Sequence, residues 1–344
     1  MKKARVAING FGRIGRTFFR MSYGHPDFEV VAINDLGNIQ NLAYLLTYDT
    51  AYGHSPYTVT VEDGALVVDG RKIACGSERE LANLPWEKEG IDIVIEATGI
   101  FTAYDKAQGH IDAGAKRVVI SAPVKEANSA ESLGKTVLMG VNEEDFNTCS
   151  ISSNASCTTN ATSPLVAILN EAIGIEKAIL NTVHAYTASQ ALVDGPSKKD
   201  FREGRAAAEN IVPSSTGAAI ATTMVHPSLK DKFDGISIRV PVPVGSIVDI
   251  TFIAKRNTTV EEVNDALTKA SQSDAWKDYF AVTKEPLVST DIIGAEVASI
   301  ADLALTRVVD GNLVKVLAWY DNETSYTSTL VAHVAKIASI LQST

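Results

Sequence analysis

Between a short β-branched run, Val6–Ile8, and a helix-like segment, Gly15–Ser22, the chain places Asn9-Gly10-Phe11-Gly12-Arg13-Ile14-Gly15. This is a G-x-G-x-x-G spacing, and its place between a strand and a helix restricts what it can be. Gly10 permits a tight turn, Gly12 lets a pyrophosphate approach the backbone, and Gly15 lets helix pack on strand. A helix opening there offers unpaired N–H groups and the positive end of its dipole to phosphates. Asp35 lies twenty residues past Gly15, after a second strand-like run, Val30–Ile33. A carboxylate there accepts hydrogen bonds from ribose hydroxyls and repels a 2′-phosphate. The same glycines could serve packing alone, but the strand–turn–helix context and Asp35 favour a dinucleotide site.

The chain is long enough for more than this one unit. At 344 residues and roughly 100–200 residues per domain, two domains are expected. A content of 45% hydrophobic and 21% charged residues excludes disorder as the main state. No apolar run reaches the ~18 residues of a membrane span. With 31 Lys and Arg against 41 Asp and Glu, the formal charge is −10, which argues against nucleic acid or an anionic membrane as partner. Cys75, Cys149 and Cys157 are the only cysteines and cannot build a disulfide framework. The N-terminus runs at once into Val6 and leaves no room for a leader, so a reducing, cytoplasmic setting is expected.

In the first half, Val6–Ile8, Val30–Ile33, Ile91–Glu96, Arg117–Ile120 and Thr136–Met139 read as buried strands. Gly15–Ser22, Asn38–Leu46 and Tyr104–Ala113 read as the helices between them. The alternation predicts a parallel sheet with right-handed crossovers. Tyr57–Ile73 breaks the rhythm, and its Asp63-Gly64 and Asp69-Gly70 dipeptides predict antiparallel hairpins. After about residue 156 the pattern changes. A helix is expected from Cys157 to about Ala172, closed by Gly174. Ala178–His184, Ile236–Val242, Ile247–Ala254, Val297–Ala304 and Leu313–Trp319 read as strands, and Thr259 with Glu262 opens a helix ending near Ser273. Strands in succession predict an α+β domain with a largely antiparallel sheet. Tyr186–Pro213, long and weakly periodic, reads as a functional or interface loop. Ser328–Leu341 reads as an amphipathic helix.

Ser153-Asn154-Ala155-Ser156-Cys157-Thr158-Thr159-Asn160 places a cysteine at a helix start among small polar residues. The helix N-terminus is expected to lower the thiol pKa, and small neighbours leave the sulfur open to a carbonyl. Taken alone, the run is better read as a buried cysteine beside an N-cap. Cys75 and Cys149 open no helix and read as structural. A cysteine nucleophile needs a base distant in sequence. His184, ending a strand, is the best placed of the six histidines. No histidine has metal-ligand spacing with a cysteine or carboxylate, so no metal is expected. A dinucleotide turn and an activated cysteine together point to oxidation of an aldehyde through a thioester. Thr187, Arg202, Arg205, Thr216-Gly217 and Arg239 are candidate anion contacts.

The sequence resembles the phosphorylating glyceraldehyde-3-phosphate dehydrogenase family over nearly its whole length. The runs that carry the resemblance include Ile8 to Arg16, Ala32 to Leu36, Glu96-Ala97-Thr98-Gly99, Ser121-Ala122-Pro123 and Ser153 to Asn160. Further on they include His184-Ala185-Tyr186-Thr187, Asp194 to Ser197, Pro213 to Ala219, Arg239-Val240-Pro241 and Trp319 to Glu323. The resemblance implies Cys157 as nucleophile and His184 as its base and ion-pair partner. It implies Thr187, Arg202 and Arg239 for the substrate C3 phosphate or the shared anion sites, and Ser156, Thr158, Thr216 and Gly217 for inorganic phosphate. It implies NAD held by Arg13, Ile14, Asp35, Arg79, Ser121 and Asn322, beside the glycines already named. It also implies a homotetramer, with Tyr186–Pro213 at subunit contacts.

The expected domains are 1–156, completed by the C-terminal helix 322–344, for NAD, and 157–321 for catalysis. Four features depart from the family pattern. Ala161 stands where most members have a second cysteine, and Thr324-Ser325 replaces a Trp-Gly pair. Val242, Val244 and Gly245 vary the run after Arg239, and Ala127–Gly134 resembles a small insertion. The alternatives are a sister enzyme acting on erythrose 4-phosphate, in which Asp35 is usually Glu, and a catalytically silent NAD-binding protein.

Overall fold

The computed structural model describes residues 2–124, 134–197 and 200–343. The chain divides into two compact units, Met1–Ala155 with Thr327–Thr344, and Ser156–Tyr326.

The first unit runs β1 (Ala4–Asn9), α1 (Arg13–Ser22), β2 (Phe28–Asn34), α2 (Ile39–Thr47), β3 (Tyr48–Asp49) and β4 (Gly53–His54). It continues with β5 (Val59–Glu62), β6 (Ala65–Val68), β7 (Arg71–Gly76), α3 (Trp86–Glu89) and β8 (Ile93–Glu96). Then come α4 (Tyr104–Asp112), β9 (Arg117–Ile120), β10 (Gly134–Thr136) and β11 (Ile151–Ser153). One sheet takes the order β10-β11-β9-β8-β1-β2-β7-β6-β5. It is parallel from β10 to β7 and antiparallel only in the β7-β6-β5 extension. Its central side chains, among them Val6, Ile8, Ile93, Ile95, Val118 and Ile120, are fully buried, as a parallel sheet covered on both faces requires.

In this unit Asp63-Gly64 and Asp69-Gly70 turn the hairpins with positive φ at both residues, the conformation that matches strand twist. The expected strand Thr136–Met139 is displaced. β10 ends at Thr136; Val137 still donates its N–H to the Ser153 carbonyl of β11 (2.9 Å), and the chain turns away at Leu138, whose N–H goes to Asn142 Oδ1 (2.9 Å). β11 was not foreseen. Residues 127–133 of the expected insertion lie outside the described residues.

The second unit runs α5 (Cys157–Ala172), β12 (Ile175–Ala185), β13 (Val212–Ser215), α6 (Ala218–Val225), β14 (Phe233–Val240) and β15 (Ser246–Ala254). It continues with α7 (Val260–Ser271), β16 (Phe280–Thr283), β17 (Ser299–Asp302), β18 (Arg307–Val309) and β19 (Leu313–Tyr320), leading into α8 (Thr324–Ser343). The sheet order is β13-β14-β12-β15-β19-β17-β16, with β18 on β19. Most pairs are antiparallel, while β12/β14 and β16/β17 are parallel. Leu165, Leu169, Leu180, Ile250, Phe252, Val316 and Ala318 join one buried cluster.

Boundaries moved where side chains compete for the backbone. The expected strand Val297–Ala304 stops at Asp302, whose carboxylate accepts the Ala304 N–H (3.2 Å) and starts a short 3-10 turn. The expected strand Ile236–Val242 begins at Phe233 and ends before Pro241, because proline has no N–H for a ladder. Thr259 caps α7 by accepting the Glu262 N–H (3.2 Å). The Glu262 carboxylate turns instead to Thr258 (2.8 Å) and Arg256 (2.6 Å). From Thr327 onward α8 belongs to the first unit. There His333 Nε2 lies 2.7 Å from Ser152 Oγ, and burial pushes the imidazole down to about 3, so it stays neutral.

Candidate active site

α5 begins at Cys157 because Ser156 caps it: Ser156 Oγ accepts the Thr159 N–H (3.1 Å). The sulfur therefore sits on the first helical residue, where backbone N–H groups have no helical partner. The N–H groups of Cys157 and Thr158 favour its anion, as does the Arg239 guanidinium. Along β12, Leu180, Thr182 and His184 face inward and are buried. That alternation brings His184 Nε2 to 3.4 Å from Cys157 Sγ. The parallel register of β12 on β14 sets His184 opposite Arg239.

Two neighbours contend for His184 Nδ1. The Ala185 carbonyl oxygen lies at 2.7 Å and Arg239 Nη1 at 2.5 Å. A carbonyl oxygen can only accept and a guanidinium only donate. Arg239 Nη1 also reaches the Ala185 carbonyl at 3.4 Å; the tautomer with its proton on Nδ1 satisfies that carbonyl and turns the Nε2 lone pair to the sulfur, whereas the other tautomer answers Arg239.

Burial pushes the Cys157 thiol up, against the expectation from the helix start alone. Burial and Arg239 together push His184 down to about 3. A lone thiolate or a lone imidazolium is therefore disfavoured here. Passing the proton from Sγ to Nε2 makes both charges together, each the counter-ion of the other.

Tyr320 was missed as a site residue. It is fully buried, and its hydroxyl binds Thr158 Oγ1 at 2.9 Å and Thr182 Oγ1 at 2.8 Å. Its ring meets the His184 ring edge-on at 5.9 Å. It thus ties the start of α5 to β12 and orients the imidazole. Only its inward place in the β19 alternation could have pointed to it.

Asn322 is buried, and Oδ1 accepts from the Gly245 N–H (3.1 Å) and from Ser246 Oγ (3.0 Å). Ser246 Oγ in turn accepts from the Ala185 N–H (3.1 Å), which links Asn322 to the His184 strand. A backbone N–H can only donate, so the amide orientation is fixed with Nδ2 turned away from that bond. Ser325, one of the departures, donates to the Ala295 carbonyl (2.8 Å) and accepts the Asp321 N–H (3.0 Å). Asp321 Oδ1 caps α8 through the Glu323 and Thr324 N–H groups, both at 2.8 Å.

The anion candidates are less gathered. Thr158 Oγ1 is engaged by Tyr320, and Ser156 Oγ by Thr159. Thr187 is half-buried and bonds Ser189 at 3.0 Å. Thr216 accepts the Ala218 N–H (3.2 Å), and Gly217 caps α6. Arg202 is exposed and pairs with Asp200 at 3.8 Å, and Arg205 pairs with Asp194 at 3.0 Å. The contacts of these two arginines do not lead to Cys157 or His184.

In the first unit, Gly10 has φ +95°. A Cβ there would lie 2.6 Å from the Thr98 nitrogen, and one on Gly15 would lie 2.3 Å from the Gly10 carbonyl oxygen. Only glycine fits either position. At Gly12, which caps α1 without a side chain, a Cβ would meet nothing within 4 Å. The space in front of the start of α1 is thus open at Gly12. Asp35 is fixed beside this turn: Oδ2 accepts the Phe11 N–H (2.6 Å) and Oδ1 the Gly37 N–H (2.7 Å). Arg13 pairs with Asp49 at 3.1 Å, and Ile14 follows it on α1. Ser121, just past β9, donates its N–H to the Glu96 carbonyl (2.9 Å). Arg79 is exposed, with its N–H on Glu78 Oε1 (2.8 Å). A glycine cradle at a helix start with a fixed carboxylate beside it fits a dinucleotide.

Two family models match the chain. One, described as glyceraldehyde 3-phosphate dehydrogenase, NAD binding domain, covers residues 4–104. The other, described as glyceraldehyde 3-phosphate dehydrogenase, C-terminal domain, covers residues 156–322. Among similar proteins, the glyceraldehyde-3-phosphate dehydrogenase of Clostridium pasteurianum is 46% identical over 341 residues, 98% of this chain and 99% of that protein. That of Geobacillus stearothermophilus is 46% identical over 97% of this chain and 98% of its own. The glyceraldehyde-3-phosphate dehydrogenase 2 of Streptomyces avermitilis is 47% identical over 95% and 96%.

Proposed function

This chain belongs to the glyceraldehyde-3-phosphate dehydrogenase family, and from that premise we propose that it oxidises D-glyceraldehyde 3-phosphate to 1,3-bisphosphoglycerate with NAD and inorganic phosphate. The observation that carries the chemistry is Cys157 Sγ at a helix start, 3.4 Å from His184 Nε2. Sγ attacks the aldehyde carbon as its proton passes to Nε2, which hands it on to the carbonyl oxygen to give a thiohemiacetal and is left neutral again. The Cys157 N–H and protonated His184 face the developing oxyanion. NAD, when bound, accepts the hydrogen and electron pair of the substrate C–H bond. His184 then holds the hydroxyl proton released as the carbon becomes a thioester. A phosphate oxygen adds to that carbonyl, the C–S bond breaks, and Cys157 leaves to close the cycle.

We assign the cofactor to the domain of residues 1–156, completed by 322–344, and catalysis to 157–321. Gly10, Gly12, Arg13, Ile14, Gly15, Asp35, Arg79 and Ser121 would hold NAD. Asn322 would offer Nδ2 to the carboxamide oxygen, because its Oδ1 is already engaged by Gly245. Ser156, Thr158, Thr187, Arg202, Thr216, Gly217 and Arg239 would share the phosphate sites. Of these, Arg239 is supported by its place beside His184, whereas Arg202 must leave Asp200 to take part.

A homotetramer is supported by apolar surface that a second copy would cover. Ile179, Ile220 and Leu313 are exposed and line a groove on the second sheet, and Leu192, Val193, Phe201 and Ile211 are exposed on the Tyr186–Pro213 segment. Three free thiols fit a cytoplasmic, reducing setting.

The test is NADH formation with glyceraldehyde 3-phosphate and with erythrose 4-phosphate, with and without phosphate and with each cofactor. Phosphate-dependent turnover of the first aldehyde is expected, and equal turnover of the second would overturn the substrate assignment. With the Asp35 carboxylate fixed by Phe11 and Gly37, kcat/KM for NAD should exceed that for NADP by about a hundredfold or more, since a 2′-phosphate would meet an unpaired like charge. Comparable values would contradict the role given to Asp35.

A further inference from the structure

Four polar residues of the first unit each stand directly before a cofactor position or its turn. Asn9 precedes Gly10, Asn34 precedes Asp35, Glu78 precedes Arg79, and Glu96 precedes the Ala97-Thr98 peptide against which Gly10 packs. Asn9, Asn34 and Glu96 are 1%, 5% and 1% exposed, and their side chains are joined in one line. The Glu78 N–H donates to Asn34 Oδ1 (2.8 Å), Asn34 Nδ2 to Asn9 Oδ1 (2.8 Å), and Asn9 Nδ2 to Glu96 Oε2 (2.6 Å).

A second line reaches the same carboxylate from behind. The Trp86 indole N–H donates to His110 Nδ1 (3.0 Å), which puts the imidazole proton on Nε2, 2.9 Å from Glu96 Oε2. Trp86 and His110 are both buried. Thr98 donates its N–H to Oε1 (2.8 Å) and its hydroxyl to the same oxygen.

The direction of every bond is therefore set at both ends by groups that only donate, a backbone N–H and an indole N–H. Both lines end on Glu96, which accepts from four donors. None of these groups is among the residues assigned to the chemistry at Cys157.

We propose that Glu96 is a positioning residue for the cofactor: its buried carboxylate sets the Gly10 turn, through Asn9 and Thr98, and the Asp35 and Arg79 segments, through Asn34. This rests on the assignment of Gly10, Asp35 and Arg79 to NAD. A glutamine at 96 keeps the shape but turns an amide donor toward Thr98 or toward Asn9 and His110. Neither the Thr98 N–H nor the Trp86-fixed His110 can answer by becoming an acceptor, and turning over Asn9 only carries the mismatch to the Glu78 N–H.

The experiment compares Glu96→Gln, Glu96→Asp and Asp35→Ala in the full-length protein. It reads KM for NAD, kcat at saturation, and the dissociation constant of ADP-ribose, which carries no reacting ring. Glu96→Gln should raise KM for NAD and the ADP-ribose dissociation constant together by about tenfold, the effect of one mispaired buried polar group, with kcat within about twofold. Glu96→Asp, which keeps the acceptors but draws them back, should move both constants the same way by a smaller factor, and it decides the matter if the glutamine variant does not fold. Unchanged constants in a variant that merely unfolds more readily, or a fall in kcat at unchanged KM, would overturn the proposal. If Asp35→Ala also leaves KM for NAD unchanged, the site assignment itself has failed. If Asp35→Ala raises it and the Glu96 variants do not, only the positioning role has.

Discussion

Cys157→Ser is expected to lower kcat for NAD-dependent oxidation by several orders of magnitude, roughly 10⁴ or more, the scale on which loss of a covalent nucleophile is felt. Serine keeps the cap, the helix and the packing but replaces the thiol with a hydroxyl, which is far less acidic. No other thiol in the second unit can take its place, because Cys157 is the only cysteine between Ser156 and Tyr326. Cys75→Ser and Cys149→Ser should remain within a few-fold of the parent. Burial pushes both of their thiols up, and each donates to a main-chain carbonyl, of Ile73 and of Asp145. The check is kcat for the three variants with NADH formation as readout. Near-full activity of Cys157→Ser would end the cysteine mechanism.

His184→Asn should cost roughly 10²–10⁴ in kcat, the usual weight of a general base, and should change the pH dependence of thiol alkylation. With His184 present, the proton of Cys157 has an acceptor 3.4 Å away, so iodoacetamide should react at neutral pH. Without it the partly buried thiol stands alone, pushed up by desolvation, and reaction should wait for alkaline pH. The sign follows from burial, which penalises a thiolate that has lost its counter-ion. Alkylation rates measured from pH 5 to 10 should show the limb of the variant displaced upward. Superimposed profiles would remove His184 from the role of base.

Much of this was legible where local chemistry decides. The two Asp-Gly hairpins, the strand–Gly10–helix turn and the α5 start at Cys157 each depend on a few adjacent residues, and each fell where expected. β11 did not, because Ile151–Ser153 is short and rich in serine. It is a strand through its place between β9 and β10, not through composition. The expected strand at Val297–Ala304 was cut short by the Asp302 side chain.

The site divides in the same way. The helix start at Cys157 could be read locally, but its expected role as nucleophile came from the resemblance. The pairing of His184 with Arg239 depends on β12–β14 register across 55 residues, so resemblance, not spacing, put both in the site. The direction of the thiol shift also lay outside the sequence. A helix start lowers a thiol, burial raises it, and only packing tells which prevails. The buried line through Asn9, Asn34 and Glu96 was invisible for a related reason. Each is a polar residue at a strand end, and only the sheet order β8-β1-β2 sets the three side by side.

The most direct test is the covalent intermediate itself. The protein is mixed with glyceraldehyde 3-phosphate and NAD in the absence of phosphate, quenched in acid within one turnover, and analysed by intact-mass and peptide mass spectrometry. The account predicts a 3-phosphoglyceryl thioester on the Cys157 peptide, formed with one equivalent of NADH and lost when inorganic phosphate is added before the quench. An NADH burst with no adduct, or with an adduct on any residue other than Cys157, would contradict it.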